Sequence, residues 1–317
     1  MSDWCPSWLR RDPHPWAPGT LDRQGLYAEA HELAASPHFG ELARAFAASW
    51  LSTQDDNPAL RAVLRNSARY SLLVLCLVLH HRRDAADALS GITPSRVLEM
   101  FDRVSRRRIE AGESQVKAIL AHARTQGLLA PRAGPGDARF RPLDPTARLT
   151  HAMQQWVAGF LRPLQGVRPL PVAPDELVAQ PGLVGEVFSL RVAAQQDDGF
   201  LLTDDHPAMR WMMSRDRGYR LFLQLVRAMD FGADGRATVA LSANELARRA
   251  GVARATVVQL LEDLRAYGWL EPGAGPRPSI AMDARHVTLA LQWIALEMVW
   301  MRGLSLVAWR HRRARPR

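Results

Sequence analysis

With 317 residues, the chain is long enough for two domains of ordinary size, and its hydrophobic content of 47% is sufficient to fill their cores. A formal net charge of +9 favours an anionic partner, nucleic acid first and a membrane surface second. The chain has only two cysteines, Cys5 and Cys76, which argues against a disulfide framework or a cysteine-based metal cluster.

The first 21 residues combine several tryptophans and prolines, so residues 1–21 are expected to form an irregular arm. This arm lacks the continuous apolar segment of a signal peptide, and we therefore expect a cytoplasmic location. Further on, the run YSLLVLCLVLHH at residues 70–81 is apolar on every side but too short to cross a bilayer. The sequence therefore predicts a helix buried in a domain or dimer core, and no membrane partner.

A first helix-turn-helix is predicted at about residues 93–126, with its leading helix at 93–107 and its recognition helix at 114–126. An exit strand at 127–129 and a hairpin wing at 131–143 follow. We expect the DNA-facing side chains of this unit to be polar or basic and to lie opposite the apolar helix face. They are Ser114, Gln115, Lys117 and His122 on the recognition helix and Arg132, Arg139 and Arg141 in the wing.

A helix at about residues 146–164 closes the first unit, which as a whole spans 22–164. The Pro-rich stretch 165–181 is interpreted as an interdomain linker. A second unit at 182–310 repeats the helices of the first, and residues 311–317 form a basic tail. The sequence therefore predicts two units in tandem.

The second helix-turn-helix, at about residues 242–267, lies in the stretch LSANELARRAGVARATVVQLLEDLRAYGWLEP. Ser242 and Glu245 have the spacing of a capping box, and Gly251 supplies the turn between two helices. Trp269 and Leu270 are expected to form a short strand that enters a wing at 272–286. The side chains predicted to contact DNA from this unit are Arg254, Thr256 and Gln259 on the recognition helix and Arg277 in the wing.

This stretch resembles the winged helix-turn-helix of bacterial transcriptional regulators. The segment GLLAPRAGPGDARFRPLDPTARLTHAMQQW of the first unit is in turn similar to the wing and following helix of MarR-type regulators. The resemblance implies that the helix beginning near Arg254 enters a major groove, with Arg277 beside the phosphates. It further implies that Arg139 or Arg141 reaches toward the minor groove or its phosphates, and that Asp137 orients an arginine.

The two units also repeat each other in sequence, which predicts a tandem duplication. Two numerical offsets relate them, 149 for the early helices and 141 for the recognition helix and wing. Asp55, Pro58, Arg61, Tyr70 and Leu72 correspond to Asp204, Pro207, Arg210, Tyr219 and Leu221, and Val116, Leu120, Gly127 and Leu129 correspond to Val257, Leu261, Gly268 and Leu270. We therefore expect a mainly α fold with small β-wings, in which two winged helix-turn-helix units share a helical pseudo-dimer core.

These features predict a sequence-specific regulator that binds double-stranded DNA through two non-identical recognition helices. Two alternatives stay open: a protein-docking or architectural winged-helix component, and a plasmid-type replication initiator. No Gly-rich phosphate loop, nucleophile elbow or histidine–carboxylate cluster is evident, so we expect neither an enzyme nor a bound metal or cofactor. The MarR resemblance implies a small-molecule effector that no residue identifies, and homodimerisation of the chain stays open.

Overall fold

The computed structural model describes residues 21–87, 90–105, 112–132, 142–271 and 280–314, and the structural statements below concern these residues. Their fold is mainly helical, with two small antiparallel sheets, as the sequence predicts. No described helix combines the length and the apolar character needed to cross a bilayer.

The first half contains seven helices and two strands among its described residues. They are α1 (Arg23–Ala34), α2 (Phe39–Asp55), α3 (Pro58–Val63), α4 (Ser67–His81), α5 (Pro94–Ser105), α6 (Glu113–Thr125), β1 (Leu129–Pro131), β2 (Leu143–Pro145) and α7 (Ala147–Leu161). A 3-10 turn, Arg162–Gly166, follows α7.

The second half presents a similar order of elements. They are α8 (Pro174–Ala179), α9 (Leu183–Asp197), α10 (Pro207–Ser214), α11 (Gly218–Ala228), β3 (Met229–Phe231), β4 (Ala237–Val239), α12 (Ala243–Ala250), α13 (Arg254–Ala266), β5 (Ile280–Met282) and α14 (Ala284–Ala314). Helix α8 lies inside the predicted linker and packs against α7, so that part of the connection is structured.

Short polar side chains set several helix starts, as local capping chemistry requires. The Asn57 side chain accepts the N–H of Leu60 at 3.0 Å before α3, where Pro58 occupies the first helical position. Asn66 caps α4 in the same way, accepting from the N–H of Arg69 at 3.1 Å. These starts follow from sequence alone because donor and acceptor lie within three residues of each other.

The two halves share their helix packing, because helices of each half pack against helices of the other half. Helix α2 of the first half packs against α11 of the second, and α9 of the second half packs against α4 of the first. Likewise α1 packs against α14, and α8 against α7. A single apolar cluster therefore runs through both halves, and it includes the α4 segment from Leu72 to Val78, whose burial the sequence predicts.

One predicted detail of the second half is wrong, because Trp269 and Leu270 form a bend and not a strand. The strand partner of β5 is β4, with Thr238 opposite Ala281. Helix α11 ends at Ala228 because the chain enters the β3–β4 hairpin, which the sequence analysis did not predict.

Candidate nucleic-acid interface

The second helix-turn-helix is formed by α12, a glycine turn and α13. Ser242 accepts the N–H of Glu245 at 3.2 Å, which starts α12 as predicted. A capping box also predicts a bond from the Ser242 backbone N–H to the Glu245 carboxylate. The Glu245 carboxylate instead pairs with Arg248 and Arg249, at 2.6 and 2.8 Å. Gly251 ends α12 with a φ of +69°, a conformation that favours glycine.

Helix α13 buries one face and exposes the other, as its periodicity predicts. Val257, Leu260, Leu261 and Leu264 form the buried face. The predicted DNA-contacting residues Arg254, Thr256 and Gln259 are all exposed. The Gln259 amide donates to Asp263 at 3.0 Å, which leaves its second N–H and its oxygen for a base edge.

The N-terminus of α13 is suited to an anionic partner. Ala253 occupies the N-cap and has no side-chain acceptor for the first backbone N–H groups of the helix. Arg254, the first helical residue, adds a full positive charge at the positive end of the helix dipole. This end of α13 can therefore approach a phosphate or a base edge of DNA.

Two arginines of the helical core donate hydrogen bonds to the C-terminal end of α12. The sequence analysis did not predict these contacts. Arg217 donates to the carbonyl of Ala250 at 3.3 Å, and Arg220 donates to the carbonyl of Arg249 at 3.1 Å. Burial lowers the pKa of both guanidinium groups. Cations at a helix C-terminus stabilise its unpaired carbonyls, so this pair, here called the arginine clamp, fixes the helix-turn-helix on the core.

The arginine clamp also reaches the first half of the chain. Arg220 donates to the Asp55 carboxylate at 2.6 Å, and the backbone N–H of Arg217 donates to the carbonyl of Arg65 at 2.6 Å. Arg217 is the only non-glycine residue with positive φ (55°) in the described part of the chain. The only sequence signal for this contact was an arginine at a core position of the apolar helix GYRLFLQLVRA.

The first unit places its predicted recognition helix, α6, in a similar way. Val116, Ile119 and Leu120 are buried, whereas Ser114, Gln115 and Lys117 are exposed and His122 is half-buried. Lys117 pairs with Glu113 at 2.6 Å, one turn earlier on the same helix. The exposed face of α6 is therefore polar but carries less positive charge than that of α13.

The predicted wing of the first unit lies between the described strands β1 and β2, in which Leu129 lies opposite Pro145 and Pro131 lies opposite Leu143. Arg132, at its base, pairs with the Asp144 carboxylate at 3.1 Å, and Asp144 also contacts His80 and Arg83. Arg132 therefore has an intramolecular partner, and its contact with DNA stays a prediction. Arg139, Arg141, Arg277 and Asp137 lie outside the described residues.

We expect Asp144→Asn to make the stability of the protein less sensitive to acid. Burial opposes ionisation of Asp144, but Arg132 and His80 outweigh it and hold the pKa of this carboxyl below its usual range. An acid with a depressed pKa stabilises the fold above its unfolded pKa, about 4, and this contribution is lost as pH falls below that value.

Thermal unfolding followed between neutral pH and about pH 3 should therefore show a smaller acid-induced drop in Tm for Asp144→Asn than for the unmodified chain, because the amide has no charge to lose. Exposed Asp102→Asn, on α5, is the matched control and should leave the drop unchanged. Parallel acid profiles for Asp144→Asn and the unmodified chain would contradict the expectation.

No cluster of three or more histidine, cysteine, aspartate or glutamate side chains in the described ranges could hold a metal ion. His80 and His81, which end α4, instead bind separate carboxylates. His80 contacts Asp144 at 3.1 Å, and His81 contacts Glu186 of α9 at 2.9 Å. The histidine pair therefore joins β2 and α9 to the end of α4.

Comparison with known proteins adds one finding to this geometry. Residues 231–273 match the IclR helix-turn-helix domain, and this segment includes β4, α12 and α13. The comparisons with curated proteins and with solved structures gave no significant match. The chain therefore contains an IclR-type helix-turn-helix DNA-binding domain, which indicates a DNA-binding transcriptional regulator and confirms the helix-turn-helix predicted at about residues 242–267.

Proposed function

We propose that the chain is a sequence-specific regulator of transcription that binds double-stranded DNA as a pseudo-dimer, with α6 and α13 as non-identical recognition helices. The observation that carries the DNA-binding part is the exposed face of α13 within the IclR-type domain, where Arg254 and Thr256 stand free of the core. Such a face can hydrogen-bond to base edges and phosphates in a major groove.

Reciprocal packing supports the pseudo-dimer. If the halves are duplicates, α2 corresponds to α9, and α4 corresponds to α11. Helix α2 packs against α11, and in the same way α9 packs against α4. A two-fold related homodimer has the same property, since each contact between its subunits occurs twice. Tandem duplication followed by fusion of such a dimer accounts for this arrangement.

Two tyrosines near the centre also correspond, since Tyr70 and Tyr219 are related by the offset of 149. The Tyr70 ring packs against the ring of Trp156 and against the Arg191 guanidinium. The Tyr219 ring packs against Trp50, and its hydroxyl bonds to Glu297. Each tyrosine therefore contacts one tryptophan of the first half and one charged residue of the second half.

The two exposed faces differ in chemistry, with Gln115 and Lys117 on α6 and Arg254, Thr256 and Gln259 on α13. We therefore expect an asymmetric recognition site, with two unequal half-sites about one helical turn apart. Each good bidentate base contact contributes about 1–3 kcal/mol of discrimination between base pairs. Two recognition helices joined in one chain are therefore needed for useful specificity, because each of them alone has few base-contacting side chains.

Selection of binding sequences from random duplex DNA by the purified chain tests the proposal. We expect enrichment of a motif with two unequal half-sites, and loss of the α13 half-site alone in an Arg254→Ala, Gln259→Ala variant. Enrichment of one half-site would contradict the pseudo-dimer. Binding that simply disappears as salt rises, with no enriched sequence, would overturn specific recognition and favour the protein-docking alternative.

A further inference from the structure

The C-terminal ends of two helices from opposite halves, α4 and α14, meet at one carboxylate of α9. His81, the last residue of α4, contacts one oxygen of Glu186 at 2.9 Å. His311, in the last turn of α14, contacts the other oxygen of the same carboxylate at 3.0 Å. Because the Glu186 side chain is only 11% exposed, the two helix ends are held together by a contact that solvent barely reaches.

Each of these helix ends carries two arginines. Together they are called the basic patch and comprise Arg82, Arg83, Arg312 and Arg313. Three of them are exposed, and Arg312 is half-buried. The Arg312 guanidinium extends over the start of α9, where its Nη1 lies 2.8 Å from the position that a Cβ would occupy on Gly182. The His81 ring lies 3.7 Å from the same position, so Arg312 and the end of α4 are close neighbours.

Carboxylates neutralise only part of the positive charge in the basic patch. Three of its four arginines pair with no carboxylate among the described residues. The fourth, Arg83, contacts Asp144 at 3.3 Å, and Arg132 binds the same carboxylate. Glu186, beneath the patch, is already bonded to the two histidines. Such an excess of exposed positive charge favours a polyanionic partner.

The basic patch lies beside the base of the predicted first wing. His80, which precedes His81 in α4, contacts Asp144 of β2 at 3.1 Å. The end of α4 therefore touches the strand pair of the wing through one histidine and Glu186 through the next. Since the first wing is predicted to reach the DNA backbone, DNA that continues past the α6 half-site runs toward the basic patch.

We propose that the basic patch binds the phosphate backbone of double-stranded DNA beyond the α6 half-site, past the first wing. This inference rests on the proposed function, which assigns α6 to one half-site. The second half lacks equivalent arginines on its central helix, because the offset of 149 relates Arg82 and Arg83 to Phe231 and Gly232. The protected DNA therefore extends further past the α6 half-site than past the α13 half-site.

Binding of the full chain to a duplex of unrelated sequence tests the phosphate contacts without a specific site. We expect the double variant Arg312→Gln, Arg313→Gln to lower the slope of log affinity against log salt by about 1.8, about 0.9 for each lost phosphate contact. The double variant Arg162→Gln, Arg168→Gln is the matched control and should keep the slope, because it removes the same charge from arginines paired with carboxylates outside the patch. Equal slopes in the two variants would overturn the proposal.

Two other results would assign the basic patch to a different role. Cations at a helix C-terminus also stabilise its unpaired carbonyls. A lower Tm with an unchanged salt slope in the patch variant would therefore indicate helix stabilisation and overturn the proposal. Loss of binding to phosphatidylserine vesicles, again with an unchanged slope on DNA, would indicate a membrane surface as the partner and overturn it as well.

Duplexes extended by about one helical turn, roughly 10 base pairs, on one side of the selected site test the placement. We expect extension beyond the α6 half-site to raise the affinity at least fivefold, and the Arg312→Gln, Arg313→Gln variant to lose most of this gain. Loss of the gain at the α13 side instead, or the same loss with and without the extension, would overturn the placement. If no sequence is enriched, the proposed function fails, while the salt slope still decides whether the patch binds phosphates.

Discussion

Replacing Arg254 by alanine is expected to weaken binding to the selected DNA site about fivefold to 150-fold, the equivalent of about 1–3 kcal/mol for one good base contact. Arg254 is the first residue of α13 and is exposed. Its guanidinium stands at the positive end of the helix, which is the end that the recognition helices of helix-turn-helix proteins direct into the major groove. The loss should be largest for the intact site and small for sites already mismatched at the contacted base pair.

Arg313→Ala is the matched control, because it removes the same charge from the last turn of α14. There the Arg313 guanidinium packs over the Trp309 ring, 4.9 Å from its centroid. Helix α14 follows both recognition helices in the sequence and belongs to neither of them. We expect this change to weaken binding to all sequences alike and to reduce the salt dependence by about one phosphate contact. Equal effects of the two substitutions on every DNA sequence would contradict the assignment of Arg254 to base reading.

The second helix-turn-helix could be predicted from sequence because its signals are local. Ser242 caps a helix through a residue three positions away, and Gly251 marks a turn whose φ of +69° suits glycine. The buried face of α13 follows from its 3.6-residue period alone. For the same reason the boundaries of α6 agree closely with the predicted recognition helix.

Most of the features that sequence did not predict are non-local. The β3–β4 hairpin is an exception, because Met229 pairs with nearby Val239 across a turn that contains Asp234 and Gly235, a dipeptide typical of hairpin turns. The Arg132–Asp144 pair forms only because β2 returns beside β1. The reciprocal packing of helices from opposite halves likewise needs apolar faces to be matched over more than a hundred residues. The sequence repeats predict two equivalent units, but they do not predict that helices of one half pack against helices of the other half.

The arginine clamp is the clearest example, because it joins the two halves and the DNA-binding unit through one side chain. Arg220 is only 4% exposed, and its guanidinium meets Asp55 of α2, Gln54 of α2 and the carbonyl of Arg249 in α12. Removing Arg220 leaves the Gln54 side-chain oxygen and the Arg249 carbonyl without these hydrogen bonds, and each unsatisfied buried group typically costs about 1–3 kcal/mol.

Arg220→Met is therefore expected to lower the free energy of unfolding by about 3 kcal/mol, since the apolar chain of methionine fills part of the space but donates no hydrogen bond. Denaturant unfolding measures this loss, and hydrogen exchange of the α12 amides should increase because the helix loses a C-terminal support. Arg61→Met is the matched control, because Arg61 pairs with the same Asp55 carboxylate at 3.2 Å but its side chain is 38% exposed. An exposed pair contributes about 0–1 kcal/mol, so this control should have little effect. Equal destabilisation by the two substitutions, or unchanged exchange in α12, would show that Arg220 does not connect the core to the DNA-binding unit.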